Sequence, residues 1–204
     1  LRNFHGTLVS DAFAGYVAMG KGSPAQLRNA GCWAHARRRF RDALKLDERL
    51  CGEALARIGA MYQAERGVSE RIARETAEAA AADDAWSMER TAERRAALRG
   101  ELVAPLVSDV LSMLDSVRRK HLPKSEVSAA VEYVMKRREW FTRFLEDGNV
   151  PIDNNACERS LRGIAVGRRN WLFVGSQGGG DAASVFFSVL CSASLAEVEP
   201  WAYL

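Results

Sequence analysis

The chain has 204 residues, 48% of them hydrophobic and 27% charged, with a formal charge of +3. That composition belongs to a packed globular protein and excludes a disordered tail or a collagen-like repeat. No apolar run approaches the roughly 20 residues that cross a bilayer, and so mild a basic balance leaves nucleic-acid binding to be decided by where the charges fall.

The opening "LRNFHGTLVSDAF" has neither an initiating methionine nor a secretory apolar segment, and reads as the middle of a longer protein. Cys32, Cys51, Cys157 and Cys191 are scattered with no C-x-x-C pair. Without an export signal that predicts reduced thiols and a cytoplasmic protein. "GTLVSDAFAGY" predicts a short buried strand that ends in an acid, Asp11. "SPAQLRN" predicts a short helix with Ser23 as N-cap and Pro24 at its first position. "AGCWAH" reads as a second strand carrying His35, and "ARRRFRDALKL" as a helix with Phe40 and Leu44 turned inward.

Beyond residue 50 the character changes. Leu55, Ile58, Met61 and Tyr62 recur at helical spacing, and alanine, glutamate and arginine dominate the stretch after them. Residues 65 to 101 hold nine acids and seven bases, which makes a mixed solvated surface rather than a basic one. Leu98, Leu102, Leu106, Val110 and Leu114 form a further stripe, where Pro105 kinks the helix or starts a new one. A break at "LPKS" places Ser125 as the cap of a helix whose buried face is Val127, Val131, Val134, Phe141 and Leu145. Gly148 is expected as its C-terminal cap. Asp153 is expected to cap the next helix, which carries "NNACERSLR". "NWLFVGS" predicts a strand, "QGGGD" a flexible turn, and "AASVFFSVLCSASLAEV" a final apolar helix.

Few residues could carry chemistry. Taken singly, Asp11 reads as a turn cap and Glu158 as a solvated helix residue; brought together, two carboxylates would suit Mg²⁺ or Mn²⁺, completed by water and phosphate. Cys32-x-x-His35 is half a zinc site, and no second pair completes it. His35 is otherwise a satisfied polar residue, or a hydrogen-bond partner for a phosphate or a catalytic carboxylate. Arg37, Arg38, Arg39 and Arg41 add four charges without an acid among them, as a solvated face or as a phosphate contact. On a helix, Asn154, Asn155, Glu158, Arg159 and Arg162 share roughly one side. Arg168 and Arg169 come after them, and no further acid appears before Asp181. Arginines interleaved with Trp171 and "GSQGGG" fit phosphate-backbone contacts, although Trp171 fits core packing as well. The glycine run lacks the lysine of a P-loop, so nucleotide binding is unsupported.

In order, "SDAFAGY", "GCWAHARRRF", "EALARIGAMY", "LPKS", "RFLEDGNVPIDNNACERSLRGIAVGRRNWLFVGSQGGG" and "EPWAYL" resemble transposases of the insertion-sequence sixty-six family over essentially the whole chain. The block from 143 to 180 is the most specific. Cys32-x-x-His35 also resembles a motif beside the second acid of related transposase superfamilies.

The resemblance implies an α/β chain in which a partial ribonuclease-H-like core is interrupted by a large all-helical insertion. Residues 1–49 would hold the core part with the second acid, 50–122 the insertion, and 123–204 the core continuation with the glutamate helix. It implies a DDE enzyme in which two aspartates and a glutamate hold two Mg²⁺ (or Mn²⁺) ions for DNA strand cleavage and transfer. Asp11 matches the second acid and Glu158 the third; the first aspartate is expected upstream of residue 1. His35, Asn154, Asn155, Arg159, Arg162, Arg168 and Arg169 would meet DNA. The implied partners are insertion-sequence ends and target DNA, bound by a homo-oligomer with no membrane contact, in a bacterial cytoplasm and associated with the nucleoid. With one acid missing, the alternative is a catalytically inert remnant that binds DNA or a complete transposase. A fragment, a decayed copy and half of a split gene all fit, as does a helical interaction protein.

Overall fold

The computed structural model describes residues 4–22, 27–118, 125–170 and 175–203. They fall into two compact units, Leu1–Asn154 and Asn155–Leu204. The first begins with strand β1 (Gly6–Ser10), helix α1 (Ala14–Gly22) and strand β2 (Leu27–Gly31), the strands pairing in parallel from Gly6 opposite Leu27 to Ser10 opposite Gly31. The remaining described elements are helices, so the fold is mostly helical around a small two-stranded sheet.

β1 ends where the β-branched run predicts, with Asp11 just beyond it. The next two expectations shift. Leu27–Asn29, expected as helix, lie in β2 because pairing with β1 overrides their local preference; Ser23 and Pro24 lie outside the described residues. The second strand stops at Gly31. Cys32 is extended and donates its N–H to Ser10 O at 3.2 Å, after which helix α2 (Trp33–Asp42) begins, so His35 sits on a helix and not on a strand. A Cβ on Gly31 would meet the Phe141 ring at 2.9 Å, so glycine lets that ring lie against the strand. Trp33 packs edge-on to Phe141, centroids 4.9 Å apart, and its Nε1–H donates to Phe141 O.

Helix α3 (Glu48–Ala81) starts at Asp47, whose carboxylate accepts the Leu50 N–H, and buries Ile58 and Met61 as its spacing predicts. Helix α4 (Met88–Leu102) is capped by Ser87, and α5 (Ala104–Val117) begins at the Pro105 break. Leu98, Val110 and Leu114 are buried, Leu106 is half-buried, and Leu102 reaches the surface. Among the described residues of 50–122 there is no strand. Ser125 caps α6 (Glu126–Met135) as expected. The single helix expected here is two: a turn at Lys136 and Arg137 leads into α7 (Arg138–Glu146) and redirects Phe141 and Phe144 into the core.

The helical block packs into that same core, with α3 against α2 and α4 against α7. Arg99 on α4 is 2% exposed. Its Nε and Nη2 donate to the Glu65 carboxylate of α3 at 2.5–3.1 Å. Its Nη1 donates to the carbonyls of Phe144, Asp147 and Val150 at 2.7, 3.2 and 2.9 Å. Gly148 is not the expected left-handed cap, since its φ is not positive. It is glycine because a Cβ there would lie 2.0 Å from Ala92 O on α4.

The second unit holds α8 (Asn155–Asn170), α9 (Gln177–Leu195) and the short α10 (Pro200–Tyr203). "QGGGD" is the first turn of α9 and not a flexible turn: Ser176 Oγ accepts the Gly179 N–H at 3.1 Å and nucleates the helix despite its glycines. The strand expected at "NWLFVGS" has residues 171–174 outside the described set. Among the described residues no helix is long and apolar enough to cross a membrane.

Replacing Arg99 by alanine strands the half-buried Glu65 carboxylate and three carbonyls, for an expected loss of about 3–5 kcal/mol. Denaturant unfolding measures it, and a loss below about 1 kcal/mol would show the network to be dispensable.

Candidate functional site

Asp11 lies exposed at the end of β1. Its Oδ1 accepts the Phe13 N–H at 2.9 Å, so the turn-capping role is present. Ala12 beside it has φ 63°, a left-handed conformation that a residue with a Cβ rarely adopts. Tyr133 Oη, on α6, donates to Asp11 O at 3.1 Å and fixes the main chain there. The Tyr133 phenol is pushed up to about 12, first by burial, then by negative charge at Cys32 and Asp11, against the arginines at 39 and 137.

The dipeptide Cys32–Trp33 joins two distant segments. Cys32 N–H binds Ser10 O, one residue before Asp11, while Trp33 N–H binds Ile152 O at 3.2 Å. Burial pushes the Cys32 thiol up, opposed by the backbone N–H of Asn154 that hydrogen-bonds its sulfur. Tyr62, on α3, donates its hydroxyl to Asp153 Oδ2 at 2.8 Å. Burial and the Asp153 charge push that phenol well above its usual value. Residues 152–154 are therefore held against the same dipeptide as the strand end that carries Asp11.

Asn154 closes the first unit, with its Oδ1 buried and without a hydrogen-bond partner among the described residues. Asn155, Glu158, Arg159 and Arg162 lie on α8 and line one shallow surface concavity together with Leu161. Glu158 sits exposed in the first turn, where the helix dipole favours a carboxylate. Arg168 and Arg169 occupy the last turns of α8; their side chains lie outside the described residues. His35 is half-buried in the first turn of α2.

The carboxylates of Asp11 and Glu158 are the hard-oxygen donors that Mg²⁺ takes. Among the described residues, no three histidine, cysteine or acidic side chains gather to hold a metal. The two acids are thus part of a ligand set. Sequence reasoning missed Tyr62 and Tyr133 as polar participants, because each occupies an apolar helical stripe. Only the hydroxyl of each signals a partner, and those partners are 91 and 122 residues away.

Tyr62→Phe removes a hydrogen bond to a half-buried carboxylate and should lower stability by about 1.5–3 kcal/mol. Asp153→Asn, which keeps an acceptor for the phenol, should cost less. Equal or negligible losses in both variants, measured by thermal unfolding, would contradict this assignment.

Residues 1–182 match the family model described as "Transposase IS66 family". Two relatives from Sinorhizobium fredii (strain NBRC 101917 / NGR234), Uncharacterized protein y4hP and Uncharacterized protein y4jD, are 35% and 30% identical over 219 and 211 residues. The alignments cover 100% of this chain but only 36% and 37% of those relatives, so the chain spans about a third of the length of the curated proteins it matches. No solved structure matches it. By the extent of the family match, the chain belongs to the IS66 family of transposases.

Proposed function

We propose that this chain is the C-terminal catalytic portion of a DDE-type transposase with a ribonuclease-H-like core, acting as a homo-oligomer on insertion-sequence ends and target DNA, in the cytoplasm and associated with the nucleoid. The observation that carries the reading is the Cys32–Trp33 dipeptide, which holds the strand end bearing Asp11 and the segment leading into the Glu158 helix. A distant pair of acids needs such a junction to act together. Asp11 and Glu158 would hold Mg²⁺ or Mn²⁺, which supplies Lewis-acid activation of a water or DNA 3′-hydroxyl and charge neutralisation at the phosphorus.

The remaining work falls to side chains of this chain. Arg159 and Arg162, one helical turn apart, would grip successive backbone phosphates, with Arg168 and Arg169 extending the track. Asn154 and Asn155 would orient the strand beside Glu158, and His35 would donate to a phosphate. Asp11 is fixed through its main chain by Tyr133, so its carboxylate is set before substrate arrives.

Glu158→Gln and Asp11→Asn each keep the shape of the side chain and remove its charge. In the intact protein, either variant should abolish Mg²⁺-dependent nicking of element-end DNA while leaving DNA affinity within about twofold. Retained nicking in Glu158→Gln would sink the catalytic assignment; DNA binding without nicking in the unaltered protein would favour an inert remnant.

Alanine at Arg159 and Arg162 should make the slope of log affinity against log salt shallower by about two, near 0.9 per lost phosphate contact. An unchanged slope in a salt-titrated binding measurement would assign these arginines to packing or solubility.

A further inference from the structure

Outside the residues assigned so far, α2 and α6 bring an unneutralised pair of cations to one aromatic ring. The Arg39 guanidinium carbon lies 4.3 Å from the centroid of the Tyr133 ring, and that of Arg137 lies 5.8 Å from the same centroid. Arg137 is also 5.6 Å from the Trp140 ring. Among the described residues no carboxylate forms a salt bridge with either arginine, whereas the neighbouring acid Glu132 is taken by Arg118 and Lys136. Arg39 is exposed and Arg137 half-exposed, over a tyrosine that is itself 6% exposed. Two like charges drawn to one buried ring repel each other, and only an anion or solvent between them relieves that cost.

The same tyrosine donates its hydroxyl to Asp11 O, so one phenol spaces both guanidiniums from the main chain of the candidate metal ligand. Stacking leaves the N–H edges of a guanidinium available for bidentate contact with a phosphate oxygen pair. We propose that Arg39 and Arg137, held against Tyr133, form a binding site for a DNA backbone phosphate adjacent to Asp11, separate from the arginines of α8. This rests on the transposase reading above, because the anion it selects is a phosphodiester of the DNA substrate. The site sets where the strand lies along the first unit. Within it, α2 supplies one arginine and the turn after α6 the other, so a phosphate would bridge elements that the core already packs together.

The experiment compares three forms of the intact protein across salt concentrations, using a duplex that carries an element end. They are the unaltered protein, Arg39→Gln/Arg137→Gln, and a charge-matched control, Arg66→Gln/Arg74→Gln, on exposed positions of α3. Glutamine keeps a planar group on the ring, and circular dichroism melts establish that each form folds. If the double variant does not fold, Arg39→Gln alone, at an exposed position, takes its place with half the effect expected. The salt slope should become shallower by about two in the Arg39/Arg137 variant and by less than half a unit in the control. Arg39→Lys/Arg137→Lys, which keeps charge but loses the fork geometry, should retain most of the slope yet bind more weakly. Equal loss in variant and control would reduce the effect to net charge and overturn the proposal, as would an unchanged slope in the variant. An unaltered protein that shows no salt-dependent DNA binding would overturn the transposase reading itself, and the proposal with it.

Discussion

The contact on which the first unit most depends is the buried guanidinium of Arg99. It crosses from α4 to the Glu65 carboxylate on α3 and to three carbonyls at the end of α7 and in the loop after it. A charge removed from water is tolerated only when its donors are matched, and here they are matched by groups from three parts of the chain. Arg95 adds a hydrogen bond to Gly148 O, and Gly148 itself presses on the α4 backbone. Residues 147–150 are thus shaped by the helical block, and their shape is handed on to Ile152, Asp153 and Asn154. A block that looks like an interruption in the sequence is the support on which the segment before Glu158 rests.

That support gives the family membership a physical content. The acid at the end of β1 and the segment entering α8 meet on two consecutive backbone N–H groups, those of Cys32 and Trp33. Backbone donors at a strand-to-helix transition would otherwise need partners of their own, so sheet, α2 and the 152–154 segment satisfy one another. Tyr62 and Tyr133 extend this arrangement with hydroxyls that reach Asp153 and the Asp11 main chain. Both phenols are kept neutral by burial, and each therefore acts as a fixed hydrogen-bond donor.

Much of the fold was legible in the chain. The helical spacing of Ile58 and Met61, the caps at Asp47 and Ser125, and the restart at Pro105 all arise from local rules and appear in the structure. What local rules could not give was set by partners far away. Leu27–Asn29 look helical until a second strand is available to pair with them, and "QGGGD" looks like a loop until Ser176 caps it. Gly148 looks like a helix terminator until Ala92, 56 positions earlier, is seen to leave no room for a side chain. For the candidate site, Asp11 and Glu158 stood out by residue type and by family resemblance. Tyr62, Arg39 and Arg137 did not, because a tyrosine on an apolar stripe and an arginine on a solvated face carry no local mark of their partners.

The turn between α3 and α4 behaves in the opposite way to Gly148. Residues 82–85 are all exposed, Asp83 is left-handed at φ 57°, and no long-range hydrogen bond of that stretch enters the core. Chain length can vary there without disturbing Arg99 or the segment it shapes, since loop closure costs grow only slowly with length. A peptide tag or a fluorescent domain could be spliced in at that hairpin tip, whereas one extra residue near 148 would shift the register of everything that leads to Glu158. The molecule therefore carries its own map of where it can be lengthened and where its residue count is fixed.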